Sequence, residues 1–177
     1  MMQKRTKISF YSYHSAIFGL LLLLCTSCKM SISLSGSDIH PNAKTVSVAT
    51  FINNATIVNP TLSQDFTTAL KDMIQRQTSL ALVNHSGDYA FSGSISSYTI
   101  SPIAIQGTET AAMNRLTISV HIKFSNKFDK SKNFEQTFTR YADYPSNQNF
   151  TAVESTLVTQ INEALTDDIF NKAFVNW

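Results

Sequence analysis

The chain has 177 residues, 43% of them hydrophobic and only 15% charged, with fourteen lysines and arginines against twelve acids. That length suffices for a leader and one ordinary domain with a genuine core, and so balanced a charge makes no electrostatic case for nucleic acid. Its two cysteines, Cys25 and Cys28, both lie near the amino terminus, so the rest of the chain has neither a disulfide nor a thiolate site.

The first 28 residues set the context. Lys4, Arg5 and Lys7 make a positive start, Ile8 to Leu24 runs mostly apolar, and Cys25-Thr26-Ser27 is a short polar step before Cys28. Charge, apolar core and small residues at the cut are the parts of a secretory signal. The arrangement resembles a bacterial lipoprotein signal, cleaved between Ser27 and Cys28 with Cys28 acylated, although Cys25 stands where a branched aliphatic residue is usual. A retained membrane helix fits less well, because spanning takes ~20 apolar residues and Tyr11 to Ser15 interrupts this run. A CxxC redox or zinc motif fails on context, since cleavage discards one sulfur and acylation consumes the other. The residues after Cys28 are Lys29, Met30, Ser31 and Ile32. They lack the aspartate that, in the sorting rules this pattern resembles, retains such proteins at the inner membrane. The expected location is therefore the periplasmic face of the outer membrane, with acyl chains on Cys28 as the anchor.

Removal of the leader takes away Lys4, Arg5 and Lys7 and leaves eleven basic residues against twelve acids. Residues 1–27 are thus expected to be signal peptide, 28–44 a lipidated amino terminus and Ser-rich tether, and 45–177 one domain. Thr45 to Phe51, with Val46, Val48 and two threonines, predicts a first strand. At Asn59-Pro60 the period changes. Asn59 is suited to cap a helix and Pro60 to open it. Leu62, Phe66, Ala69, Leu70, Met73 and Ile74 then recur at three- and four-residue spacing, which predicts an amphipathic helix from about Pro60 to Gln77. Its other face offers Gln64, Asp65, Thr68, Lys71, Asp72 and Gln75 to solvent or a partner.

Leu80 to Val83 predicts a short strand, closed by the turn Asn84 to Asp88. Phe91, Gly93 and Ile95 share one strand face, while Tyr98 and Ile100 fall on the opposite parity, so a bulge is expected near Ser96 and Ser97. Arg115 to Phe124 alternates cleanly, with Leu116, Ile118, Val120, Ile122 and Phe124 inward. Phe134 to Tyr144 predicts the last strand after a loop from Asn126 to Asn133. Thr151 and Glu154 have capping-box spacing ahead of Val153, Leu157, Ile161, Leu165 and Ile169, which predicts a second helix to about Lys172. The order implies an α+β two-layer sandwich, a mostly antiparallel four- to five-stranded sheet with two helices on one face.

No catalytic signature stands out. There is no G-x-S-x-G, no H-E-x-x-H and no phosphate-cradling glycine loop. His40, His85 and His121 are scattered without companions at metal-ligand spacing, and Asp167-Asp168 reads as a solvated helix face. The reading is a binding protein with no cofactor, no metal and no enzymatic activity.

Val58 to Gln64, Glu109 to Ile118, Phe138 to Tyr144 and Asp168 to Trp177 together resemble the LptE family of lipopolysaccharide-assembly lipoproteins, over essentially the whole chain. The resemblance implies a two-layer α+β fold and a non-enzymatic plug inside the lumen of a large outer-membrane β-barrel translocon, the LptD-like partner. It also implies help in assembling that barrel and in inserting lipopolysaccharide into the outer leaflet. Only Cys28, as lipid attachment point, carries over by position. The alternative is a pilotin-like accessory lipoprotein of another envelope or secretion complex.

Two segments stand out as contact candidates. Ser101 to Asn114 carries Ile103, Ile105 and Met113; either this loop docks inside the barrel, or the flanking strands extend through it and bury these residues. Lys127, Lys130 and Lys132 surround Phe128 in the loop before the last strand, where ammonium groups suit lipopolysaccharide phosphates. The plainer reading of those lysines is a solvated hairpin tip. Tyr141, Tyr144, Phe174 and Trp177 are expected to fill the core.

Overall fold

The computed structural model describes residues 38–57, 59–103 and 112–175. Within them lie β1 (Thr45–Val48), β2 (Ile52–Asn53), α1 (Leu62–Gln77), β3 (Ala81–Val83), β4 (Tyr89–Ile103), β5 (Met113–Asn126), β6 (Phe134–Pro145) and α2 (Phe150–Phe174), with a 3-10 turn at Lys130–Lys132. The sheet runs in the order β3-β1-β4-β5-β6, and β2 pairs with β4 beyond the end of β1. The three long strands β4, β5 and β6 are antiparallel to one another. The three short ones are parallel, β1 to both β3 and β4, and β2 to β4. The expected two-layer α+β architecture with a mostly antiparallel sheet is present, with six strands rather than four to five and with the short strands β1, β2 and β3 pairing in parallel.

The core lies between the sheet and the helices. On β5 Leu116, Ile118, Val120, Ile122 and Phe124 are all buried, and each such side chain contributes about 1.5–3 kcal/mol on leaving water. Phe91, Ile95 and Tyr98 face the same core from β4. Ile95 and Tyr98 share that face only because the register with β5 shifts between Ile95 and Ser97. That is the expected bulge, where one extra residue reverses the side-chain parity. Gly93, at φ +155°, leaves a gap in this face that the ring of Phe51 approaches, and a Cβ there would lie 1.9 Å from the carbonyl oxygen of His121.

Phe51 explains why the strand expected over Thr45 to Phe51 stops at Val48 and a second one starts only at Ile52. The chain leaves the sheet after Val48 to bury Phe51 edge-on against Phe66, then rejoins it at Ile52. Helix α1 begins at Leu62, two residues after Pro60, but Asn59 still caps it. Its Oδ1 accepts from the backbone N–H groups of Thr61 at 3.0 Å and Leu62 at 3.1 Å. The capping box expected at Thr151 and Glu154 does not form. Asn149 is the cap of α2, its side chain accepting from Thr151 N–H at 3.0 Å. Glu154 is drawn away by stronger partners, accepting from the Tyr98 hydroxyl at 2.6 Å and from Asn59 Nδ2 at 2.8 Å.

This carboxylate ties the starts of both helices to the middle of β4, and α1 and α2 run side by side in the same direction. Buried residues on α2 come in neighbouring pairs four apart, Leu157 with Val158, Ile161 with Asn162, Leu165 with Thr166, Ile169 with Phe170. Two adjacent buried rows make a face too wide for the sheet alone, and Val158 and Asn162 adjoin α1.

The end of α2 closes the core from below. Phe174 packs edge-on against Tyr89 and Phe124. Its carbonyl accepts from Asp38 N–H at 2.6 Å, so the incoming chain is pinned beside the β5–β6 turn.

Candidate functional site

No helix of the described residues is long and apolar enough to cross a membrane. Among them, no three His, Cys, Asp or Glu side chains converge in a way that would hold a metal ion. What the fold offers a partner is surface: the uncovered face of the sheet, its two ends, and the outer side of the helix pair.

The uncovered face is polar because the alternation of β5 and β6 turns every second residue away from the core. Arg115 donates to Asp143 through two nitrogens, at 2.7 and 2.9 Å, and lies over the Tyr141 ring at 3.5 Å. Ser119 and Thr139 share a hydrogen bond of 2.9 Å. His121 Nε2 meets Glu135 at 3.0 Å, and its other nitrogen lies 3.3 Å from the Thr137 hydroxyl. Opposite partners across neighbouring strands stabilise each other, and they shift the acids accordingly. The Arg115 guanidinium holds Asp143 below the usual carboxylate range, and the His121 hydrogen bond, helped by Lys123, does the same for Glu135. Tyr141, placed in the core from sequence, is instead 54% exposed on this face under Arg115, whereas Tyr144 and Phe174 are buried as expected. Trp177 lies outside the described residues.

The β5–β6 turn carries the three lysines, and they do not converge. Lys127 Nζ reaches Asp88 Oδ1 at 3.1 Å, Lys132 pairs with Asp38, and Lys130 takes part in no ion pair among the described residues. Asp88 is the hub of this end, its Oδ2 also accepting from Lys44 N–H, Thr45 N–H and the Thr45 hydroxyl. The Lys44 N–H foremost, then Lys127 and Thr45, hold its carboxyl well below the usual range. Phe128 stacks flat on His40, with centroids 4.3 Å apart. The turn is therefore clamped to the incoming chain at residues 38–45.

At the opposite end the β4–β5 hairpin is longer than the sequence showed. Pairing continues to Ile103 opposite Met113, so the strands extend through both flanks of the segment read as a loop. Ile103 and Met113 are half-buried there. Ile105 lies outside the described residues, as does Cys28.

The outer side of the helix pair holds a groove of about 630 Å³, walled on one side by Gln64, Asp65, Thr68 and Asp72 of the polar α1 face read from sequence and on the other by α2 residues that sequence reasoning missed. Asp65, Asp72 and Arg76 of α1 and Glu154 and Glu163 of α2 line it, and Asn162 belongs to its wall. Asn162 is 3% exposed and its Oδ1 has no hydrogen-bond partner. On the opposite side of α2, Asp168 departs from the solvated face expected of it and makes a two-pronged pair with Arg140, at 2.6 and 2.7 Å.

Comparison with known proteins places this architecture. The model of the LptE family, described as lipopolysaccharide-assembly, matches residues 43–173, nearly the whole folded domain. The chain belongs to the LptE family. It is therefore a member of a non-enzymatic lipoprotein family that acts with LptD in lipopolysaccharide assembly at the outer membrane. A search of curated proteins gives no match.

Among solved structures, this LptE-family chain is similar to a neuraminyllactose-binding hemagglutinin homolog from Helicobacter pylori. The two share 7% identity at a TM-score of 0.50, over 74% of this chain and 83% of the other. It is also similar to a minor lipoprotein from Acinetobacter baumannii, with 17% identity, TM-score 0.49 and 74% and 90% coverage. The rare lipoprotein B from Shewanella oneidensis gives 11%, 0.45, and 70% and 91%. At such identities the first of these speaks for the fold alone.

Proposed function

We propose that this LptE-family domain sits as a plug in the lumen of LptD, held at the periplasmic side of the outer membrane by acyl chains on Cys28. The observation that carries the reading is the one-sided sheet. One face is sealed by α1 and α2, while the other presents the Arg115–Asp143, Ser119–Thr139 and His121–Glu135 pairs in a row. Lumens of membrane barrels are polar, and a flat face whose polar groups are already paired enters such a space without stranding a buried charge.

The tether bounds how far the folded domain can lie from the acyl anchor. Cys28 precedes Asp38 by ten residues, a span of at most ~35 Å when fully extended. Asp38 is pinned at the β5–β6 end by Phe174 and Lys132. Lys127, Lys130 and Lys132 thus share the end of the domain at which the described chain begins, and Ile103 and Met113 pair at the opposite end, in the β4–β5 hairpin that this reading assigns to the barrel. Contact of the lysines with lipopolysaccharide phosphates then rests first on Lys130, since Lys127 and Lys132 each hold a carboxylate.

The test is copurification from detergent-solubilised outer membranes. The reading expects one large β-barrel in equal amount, reduced by charged substitutions at Ile105 and Met113, and labelling by radioactive palmitate that Cys28→Ala abolishes. Recovery of the chain without a barrel overturns it.

A further inference from the structure

The groove between α1 and α2 is built in a way that neither core packing nor the plug reading requires. Asp65, Asp72 and Glu163 are exposed along it, and none of them, nor Arg76, enters any of the six ion pairs among the described residues. With Glu154 the groove holds four carboxylates against one guanidinium. In its wall, Asn162 stands in a row otherwise used for burial, with an amide oxygen that nothing satisfies. An unpartnered buried acceptor costs about 1–3 kcal/mol, and few are left in folded proteins without a reason. Leucine at this position would fill the same row at no such cost.

We propose that this groove seats an extended segment of the barrel partner that carries lysine or arginine. The inference rests on the plug reading above and names where and by what chemistry the partner is gripped. The carboxylates attract a cationic side chain, and a turn of the Asn162 amide about its last torsion brings the buried oxygen to the groove, where it accepts an N–H of the seated segment. Complementary charge of this kind sets the register and speed of association more than its strength. From Thr61 to Arg76 the groove follows α1 for about 22 Å at 1.5 Å per residue, which accommodates about seven residues of extended chain.

Photo-cross-linking in cells tests this on the full-length protein. A benzophenone amino acid replaces Thr68 in the groove or, as a control, Ser119 on the open face of the sheet, and the attached segment is mapped by mass spectrometry. The proposal expects the Thr68 adduct on a Lys- or Arg-bearing segment of the barrel. Asp65→Lys with Asp72→Lys, both on the surface, should lower that adduct at least tenfold and leave the Ser119 adduct intact. Asn162→Leu should raise the thermal midpoint of the free chain while lowering the same adduct.

A Thr68 adduct unaffected by the double substitution, or mapped to a segment without basic residues, overturns the proposal. So does a Ser119 adduct with none at Thr68, an outcome that leaves the plug reading standing. Failure of both positions to reach a barrel, together with its absence from the purified material, brings down the plug reading itself.

Discussion

Glu154 and Tyr98 meet at 2.6 Å, one helical turn into α2 and just past the bulge in β4, although 56 residues separate them. The hydroxyl of Tyr98 has one acceptor, and burial foremost, then the Glu154 carboxylate, hold its proton on well above the ordinary tyrosine range. Because Asn59 bonds the same oxygen, this carboxylate joins the sheet to the start of both helices. Tyr98→Phe keeps the ring and removes the donor. It is expected to lower stability by about 1.5–3 kcal/mol, the range for a hydrogen bond to a charged group. Glu154→Gln should cost less than Glu154→Ala, and denaturant midpoints for the three variants check the order.

Gly93 offers a test of close packing that removes no hydrogen-bonding side chain. A methyl there would meet the His121 carbonyl and crowd the ring of Phe51, so neither the partner strand nor the ring can yield cheaply. Gly93→Ala should destabilise by about 3 kcal/mol, at the upper end for overpacking. Chemical denaturation of the purified domain reads it directly.

Asp88 gives the fold an acid-sensitive limb. Its carboxyl is depressed in the folded state relative to an ordinary value of about 3.9 in the unfolded chain. The stabilisation is therefore complete above pH ~4 and declines as pH falls toward the lower folded value. Asp88→Asn should melt below the natural protein at pH 7, and the gap between the two should narrow progressively below pH 4. A gap independent of pH would show that the Lys44, Thr45 and Lys127 contacts do not depend on the charge.

By contrast, the open-face and helix-edge pairs should contribute little to stability. Arg115 with Asp143 and Arg140 with Asp168 are two-pronged but partly exposed, a setting in which solvent screening leaves an ion pair little net worth. Arg140→Ala should shift the melting midpoint by no more than a few degrees. Any larger effect of Arg115→Ala on barrel copurification than on melting would mark this face as contact surface.

Much of this was legible along the chain because it depends on local period. The alternation of Leu116 to Phe124, the 3.6-residue rhythm of α1 and the parity break at Ser96-Ser97 each follow from neighbouring residues, and each is present in the fold. What escaped depends on residues distant in sequence. Glu154 has capping-box spacing from Thr151, and only the arrival of Tyr98 and Asn59 takes it away. Tyr141 reads as core until Arg115 on the next strand claims its ring. The parallel pairing of β1, β2 and β3 rests on stretches of two to four residues, too short for any periodicity to fix direction. Asn162 lies in sequence between Ile161 and Glu163 in a largely polar stretch, so only the packing of α2 beside α1 shows that it is buried.

The most direct measurement is the intact mass of the complex purified from outer membranes under native conditions. The account predicts one barrel with one copy of this chain, which begins at Cys28 and carries acyl chains there. A chain recovered alone, beginning at Met1, or with an unmodified Cys28 sulfur would contradict it.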